Sequence, residues 1–268
     1  MLIQILGVKI DDVSLEEAGK IIGGWLSVVG QSVDGKPKTT VLSGKTADCP
    51  KIVVTPGPEF LVEAQRDLGF KKALNGADLA VPDGAGLQIF AGIKNRVPGV
   101  ELTLRLCKLA AEKGWTIGLF GGWEGEGAKA KAELEKRFPG IKIAWTIDGG
   151  KADIIWLSVV DPSALKTDRP ETDNWTPVDL LFVALGIKKQ EFFMDGLKAN
   201  NLKLKARVAV GVGSTLDYLS GALPRAPQWL RSLGLEWLFR LLCATKSRRR
   251  IITAVVEFPL RVFVGSLS

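Results

Sequence analysis

Residues 115–147, WTIGLFGGWEGEGAKAKAELEKRFPGIKIAWTI, decide the fold. The run WTIGLFGG is apolar without interruption, stops at two glycines, and reads as a strand buried on both faces. Residues 126–138 form a helix, and IKIAWTI is a second apolar strand. Strand, glycine turn, helix, strand is one βαβ unit, and the flanking sequence repeats the plan. Downstream lie the strand VDLLFVALG, a helix over 189–200, the strand ARVAVGVG and the start of a helix at 215–220. Upstream lie the strand KIVVTPGPEF, a helix over 60–75, the strand and loop ADLAVPDGAG and a helix over 101–113. Continuous apolar strands alternating with helices predict an α/β fold: a mostly parallel sheet with helices on both faces, Rossmann-like in arrangement.

The ends of the chain differ from this plan. LIQILGVKIDDV reads as a strand pair or a strand and turn. Ser14-Leu15-Glu16-Glu17 is a capping box, with Ala18, Ile21, Ile22, Trp25 and Leu26 at helical spacing behind it. Residues 31–50 and 148–177 are polar and turn-rich; the first reads as a loop or small hairpin, the second as an insertion around the short strand DIIWLSVV. From residue 221 the chain becomes helical and basic. The expected division is an α/β domain over 1–220 and a basic amphipathic appendage over 221–268, with the core of the first not needing the second.

Composition narrows the chemistry. Of 268 residues 46% are hydrophobic and 24% charged, which suits a globular chain and excludes low-complexity classes. There is no histidine, so a Ser-His-Asp triad, a histidine base and most zinc sites are excluded. The three cysteines, Cys49, Cys107 and Cys243, are distant and odd in number, suggesting neither a disulfide framework nor a CxxC metal site, and a reducing cytoplasm is expected. The opening residues lack the basic start of a signal peptide, and no uncharged apolar stretch reaches the ~18 residues of a bilayer-spanning helix. The net charge is +7, and from Arg225 onward eight Lys and Arg face two Glu, so +6 of it lies in the last 44 residues.

Ligands of open α/β sheets sit beyond the carboxyl ends of the strands. Four such ends carry unusual residues: Thr55-Pro56-Gly57-Pro58-Glu59, Pro82-Asp83-Gly84-Ala85-Gly86, Gly121-Gly122, and Gly211-Val212-Gly213-Ser214. Glycines allow close backbone approach and helix starts offer unpaired N–H groups to an anion, so a phosphate-bearing ligand is expected; tight turns alone would also place glycines here. None of them has GxGxxG or P-loop spacing. Asp83 stands out: it follows an apolar strand and a proline, and without histidine a carboxylate is the natural general base for a hydroxyl. An Asx-turn or helix cap is its bland alternative. No Asp-x-Asp occurs, which counts against a metal-bound diphosphate, and no cofactor is expected.

Blocks along nearly the whole chain carry a resemblance: ILGVKIDDVSLEEA, VVTPGPEF, ADLAVPDGAGL, RVPGVEL, IGLFGG, FPGIKI, FVALGIKKQE, VGVGSTLD and GALPRAPQWLRSLGLEWLFRL. In these the sequence resembles the WecG/TagA/CpsF glycosyltransferases, glycosyltransferase family 26. The resemblance implies transfer of a sugar, often N-acetylmannosamine or its uronic acid, from a UDP donor to an undecaprenyl-diphosphate-linked acceptor in cell-surface polysaccharide or teichoic acid synthesis. It implies Asp83 as catalytic base and Thr55 near the reacting sugar. Arg96 matches an active-site arginine, Gln190 the glutamine of the Lys-Gln-Glu motif, and Gly213 with Ser214 and Asp217 the part that holds UDP. Gly121, Gly122 and Gly186 fall in the matched strand ends. Arg240 and Arg250 match appendage residues directed at the donor diphosphate. The sequence departs from the family at Gly57, where Asn is usual, at Ile187-Lys188, which replaces a small residue and proline, and at Ser247, where another arginine is common.

The chemistry agrees with this reading. Inverting transfer from a UDP-sugar needs a base for the acceptor hydroxyl and positive charge for the departing diphosphate; Asp83 supplies the first, arginines and helix N-termini the second without a metal. In the appendage, Trp229, Leu230, Leu233, Leu235, Trp237, Leu238, Leu241 and Leu242 alternate with arginines, which predicts peripheral docking on an anionic membrane surface at its cytoplasmic face. The alternative is that these residues pack on the α/β domain or on a partner chain, as in a homo-oligomer. Two further readings compete: a nucleic-acid-binding protein, suggested by Arg248-Arg249-Arg250 but lacking a reading motif and stacking tyrosines, and a non-catalytic sugar-nucleotide-binding assembly protein. Nucleic acid is not the expected partner.

Overall fold

A computed structural model describes residues 1–27, 49–148, 150, 152, 176–198, 204–243 and 248–265. The chain opens with an antiparallel hairpin, β1 (Leu2–Ile5) and β2 (Val8–Asp11), paired from Leu2↔Asp11 to Ile5↔Val8. Helix α1 (Leu15–Ser27) follows. Its capping box forms as the sequence predicts: Ser14 N and Oγ both donate to Glu17 Oε2 at 2.8 Å, and Glu17 N donates back to Ser14 Oγ at 3.2 Å.

The α/β body runs β3 (Lys51–Val54), α2 (Pro58–Arg66), α3 (Leu68–Asn75), β4 (Leu79–Ala80), α4 (Ala85–Ala91), α5 (Gly99–Lys113), β5 (Thr116–Gly121), α6 (Glu126–Arg137), β6 (Lys142–Ile147), β7 (Val178–Ala184), α7 (Lys189–Lys198), β8 (Ala206–Gly211) and α8 (Thr215–Leu219). The six strands from β3 onward make one parallel sheet in the order β4-β3-β8-β7-β5-β6. This is the α/β architecture expected from residues 115–147. The predicted hairpin or loop at 31–50 and the insertion at 148–177, with its strand DIIWLSVV, lie almost wholly outside the described residues.

Three local expectations are corrected. The single helix over 60–75 is two, because Asp67 takes an extended conformation and caps α3, accepting from Phe70 N at 3.0 Å. The strand in ADLAV is only two residues long. An additional helix, α4, begins directly after Gly84, where a glycine-rich loop had been read.

The apolar runs are buried on both sides because alternate residues face opposite layers. Leu180 and Phe182 join α1, α5 and α8 on one face; Leu181 and Val183 join Ile10 of the hairpin and Leu61, Phe70 and Phe193 on the other. Phe182 is fully buried. Phe182→Ala is expected to cost about 3–5 kcal/mol, transfer plus cavity, read by urea denaturation.

The appendage consists of α9 (Gln228–Ser232), α10 (Glu236–Cys243), α11 (Arg248–Ile252), a π-helical turn at Thr253–Glu257, and α12 (Phe258–Gly265). It is helical, as predicted. It is also joined to the body: Phe258, fully buried, belongs to the core cluster that contains Leu61 and Val183, and Arg66 Nη2 reaches both oxygens of Glu257, at 2.7 and 2.6 Å. Among the described residues no helix is long and apolar enough to cross a membrane.

Candidate active site

All strands of a parallel sheet end on one edge, so Thr55, Asp83, Gly121-Gly122, Gly186 and Gly213-Ser214 follow strands on the same side of the molecule. Helix starts gather there too. The loop after β4 comes close to α2: a Cβ on Gly84, whose φ is +106°, would lie 2.9 Å from Pro58 Cδ, and one on Gly86 would lie 2.8 Å from Pro58 Cγ. No larger residue fits this approach, which brings the β4 loop onto the start of α2.

Asp83 is fixed by its backbone and faces a cavity. Its N–H donates to Pro56 O at 3.0 Å, and its Oδ2 accepts from Gly99 N, in the first turn of α5, at 3.1 Å. Burial pushes its carboxyl up to about 6; the neighbouring carboxylates Glu59 and Glu236 push the same way, while the Gly99 N–H and Arg240 oppose them. Thr55 is buried and donates its hydroxyl to Gly211 O at 2.9 Å, tying β3 to β8. Both side chains converge on Gly99: a Cβ there would stand 3.5 Å from Asp83 Oδ2 and 3.6 Å from Thr55 Oγ1.

The main cavity has a volume of about 350 Å³. The body contributes Thr55, Gly57, Glu59, Asp83 and Arg96; the appendage contributes Glu236, Trp237, Arg240, Arg250 and the apolar Ile251, Ala254 and Val255. A smaller cavity of about 100 Å³ shares Thr55, Asp83, Arg240 and Arg250 and adds Gln190, Gly213, Ser214 and Arg225. Asp83, Thr55, Arg96, Gln190, Gly213, Ser214, Arg240 and Arg250 are therefore brought together. Of the arginine triplet, Arg248 and Arg249 are exposed, whereas Arg250 lines both cavities.

The remaining sequence candidates line neither cavity. Gly121 and Gly122 take positive φ because the chain passes against β7: a Cβ on Gly121 would fall 2.5 Å from Ala184 O, and Gly122 N donates to that same carbonyl at 2.9 Å. Gly186, at φ +80°, accepts from Gln190 N at 3.1 Å and so shapes the turn into α7. Asp217 faces the carboxyl of Glu126 on α6; burial, then that neighbour, pushes it up to about 7.

Gln190 does two things at once. Fully buried, it accepts from Gly213 N at 3.1 Å and donates to Glu191 Oε1 at 2.7 Å, pinning the loop after β8. Burial pushes the Glu191 carboxyl up to about 8, so it is held largely protonated at neutral pH. The departures from the family pattern also acquire physical meaning. A Cβ on Gly57 would lie 2.8 Å from Glu59 Oε2, so the space a larger residue would take is filled by the Glu59 carboxylate. Lys188, at φ +68°, reaches Glu63 at 2.6 Å and Asp67 at 3.1 Å, fastening the start of α7 to α2 and α3.

Sequence reasoning missed Glu59, Gly99, Arg225 and Glu236. Pro58-Glu59 and Pro98-Gly99 each open a helix beside a strand end, which is the signal that could have found the first two. Glu236 and Arg225 approach Asp83 only through tertiary folding.

A carboxylate facing arginines across a cavity at this edge suits transfer from a donor whose leaving group is anionic. The chain belongs to the glycosyl transferase WecG/TagA/CpsF family, whose sequence pattern it matches over residues 3–268, and it is a glycosyltransferase. It is similar to N-acetylglucosaminyldiphosphoundecaprenol N-acetyl-beta-D-mannosaminyltransferases. The protein of that name from Bacillus spizizenii (strain ATCC 23059 / NRRL B-14472 / W23) is 32% identical over 206 residues, covering 75% of this chain and 74% of the relative. That from Bacillus subtilis (strain 168) is 29% identical over 216 residues, 79% and 78% of the two chains. That from Staphylococcus aureus (strain MRSA252) is 27% identical over 204 residues, 74% of each.

Proposed function

We propose that this glycosyltransferase moves an N-acetylmannosamine-type sugar from a UDP donor to an undecaprenyl-diphosphate-linked GlcNAc acceptor, with inversion and without a metal ion. The observation that carries the reading is Asp83, held by Gly99 N–H at the junction of two cavities that Arg240 and Arg250 also line. Asp83 takes the proton of the acceptor hydroxyl as that oxygen attacks the anomeric carbon. The bond from that carbon to the diphosphate oxygen breaks, and UDP leaves with the electron pair. Guanidinium groups at the cavity wall meet the developing charge with forked hydrogen bonds. Thr55 holds the floor between β3 and β8, and Gln190 with Gly213 and Ser214 shapes the donor end. The names of the relatives support the sugar and the acceptor.

The test is a donor screen measuring UDP release with a short-chain GlcNAc-diphosphate-lipid acceptor. Release with a UDP-N-acetylmannosamine-type donor supports the proposal; UDP binding without release on any donor would support a non-catalytic role. Among the described residues no group of three or more Asp, Glu or Cys side chains is placed to hold a metal ion. Activity is accordingly expected to withstand EDTA, and loss restored by magnesium or manganese would overturn the metal-free step.

The appendage suits the inner face of an anionic membrane. Trp229, Leu233, Leu242, Ile252, Val256, Leu260 and Phe263 are exposed large apolar residues, and Arg248 and Arg249 are exposed beside them. A polyprenyl acceptor resides in the bilayer, so docking and catalysis share one face. Sedimentation with anionic vesicles, weakened by salt when Arg248 and Arg249 are replaced by Ala, is the expected result; a salt-dependent shift of DNA with no vesicle binding would favour a nucleic-acid partner instead.

A further inference from the structure

The segment that carries Glu236 and Arg240 over the cavity has little holding it from within. Helix α9 is five residues long and none of them is buried. What fixes it is one carboxylate of the body. Glu101, in the first turn of α5, accepts through its Oε1 from both Arg225 Nη2 at 2.7 Å and Arg231 Nη1 at 3.0 Å. Arg231 passes this on: its Nε donates to Ala226 O at 3.0 Å, while its carbonyl accepts from Arg96 Nη2 at 3.0 Å and from Gly234 N at 3.1 Å. Gly234, at φ +72°, then turns the chain into α10, so close to α4 that a Cβ there would lie 3.1 Å from Ala85 Cβ. Glu101 lines neither cavity. Two residues earlier on the same helix turn, Gly99 N–H holds Asp83.

We propose that Glu101 is a positioning residue: by holding Arg225 and Arg231 it registers the cavity roof, residues 234–240, against Asp83. One turn of α5 thus sets the base with a backbone donor and the roof with a side-chain acceptor. The pairs are partly exposed, with side-chain exposures of 35% for Glu101, 23% for Arg225 and 26% for Arg231. Such pairs add little to global stability, so losing Glu101 should release the roof without unfolding the sheet. It would also leave two arginines side by side without their shared anion. The groups facing Asp83 from the surrounding elements are Glu59 on α2, the Gly99 N–H on α5, and Glu236 and Arg240 on α10; only the last two move with the roof.

The inference rests on the transferase reading, and the experiment separates the two. In the full chain, Glu101→Ala should lower kcat/KM for UDP release about tenfold or more, the scale of a small misplacement at a reacting centre. The acid limb of its pH–rate profile should move down from near 6, because an opened roof admits water to Asp83. Glu101→Gln, which keeps an accepting oxygen, should regain part of the loss. Arg225→Ala and Arg231→Ala, which approach the contact from the other side, should show the same shift, and combining either with Glu101→Ala should add little. Amide exchange over residues 228–243 should quicken in each variant, whether or not a donor is known. Wild-type exchange, an unmoved limb, or losses that simply add would overturn the role of Glu101. If the unaltered chain releases no UDP while the variants still speed exchange, the transferase reading fails and the roof contact stands.

Discussion

Asp83→Asn should lower turnover about a hundredfold or more while UDP still binds, the usual size of a general-base contribution. The substitution keeps the shape and the hydrogen bond from Gly99 N–H and removes only the charge and basicity. The unaltered enzyme should gain activity as pH rises through about 6, where this carboxyl ionises. Stability has the opposite sign. A carboxyl whose folded value lies above its ordinary one binds its proton more tightly in the native state, so its contribution is full at low pH and is lost as pH rises through 6. At pH 8 Asp83→Asn should therefore melt higher than the unaltered protein while turning over far more slowly. A variant that keeps most of its turnover would show that Asp83 is a structural cap.

A chain ending at Leu223 should lose nearly all transfer activity and vesicle binding. It lacks Glu236, Arg240 and Arg250 from the cavity wall, and with them the arginines that face the diphosphate. Near an anionic leaflet each basic residue contributes about 1 kcal/mol, so the lost arginines are enough for reversible docking. The sheet should persist, since its six strands and both helical layers lie before residue 220. Its melting temperature should fall, because Phe258 and Ile251 leave the core they help fill. Arg240→Ala, by contrast, should lower turnover more than docking. Circular dichroism melts, sedimentation with anionic vesicles and UDP release on matched samples check all of this; full activity in the truncated chain would reduce the appendage to packing.

The parts of the fold that were legible are those written in local periodicity. The strand–helix–strand run at 115–147, the capping box at Ser14 and Glu17, and the apolar strands KIVV and VDLLFVA need only their own residues to be read. The order of the strands was not legible, because β5 and β7 are neighbours through pairing that no local pattern encodes. The break at Asp67 was hidden because both halves of 58–75 favour helix and only the cap geometry separates them. In the site, Asp83 and Thr55 declare themselves by following apolar strands. Arg96 was recognisable only through resemblance, and its contact with the carbonyl of Arg231 is a tertiary event. Glu101 carried no signal at all: an acidic residue in the first turn of a helix is ordinary until two arginines from 124 and 130 residues away close on it.

The π-helical turn at Thr253–Glu257 makes the length of this surface segment matter more than its side chains. A π turn holds more residues than an α turn, so it resets the phase of everything beyond it. Here that phase lets Ala254 and Val255 look into the cavity while Phe258 enters the core and Glu257 meets Arg66. Deleting one residue of Thr253–Glu257 would restore a regular helix, yet rotate its two halves by about 100° and slide them about 1.5 Å. Either the cavity wall or the Phe258 anchor would then be out of register. Point substitutions at exposed Val256 should pass unnoticed, whereas a single-codon deletion beside it should act like a core mutation. Drift in this stretch is thus free in letter but frozen in count.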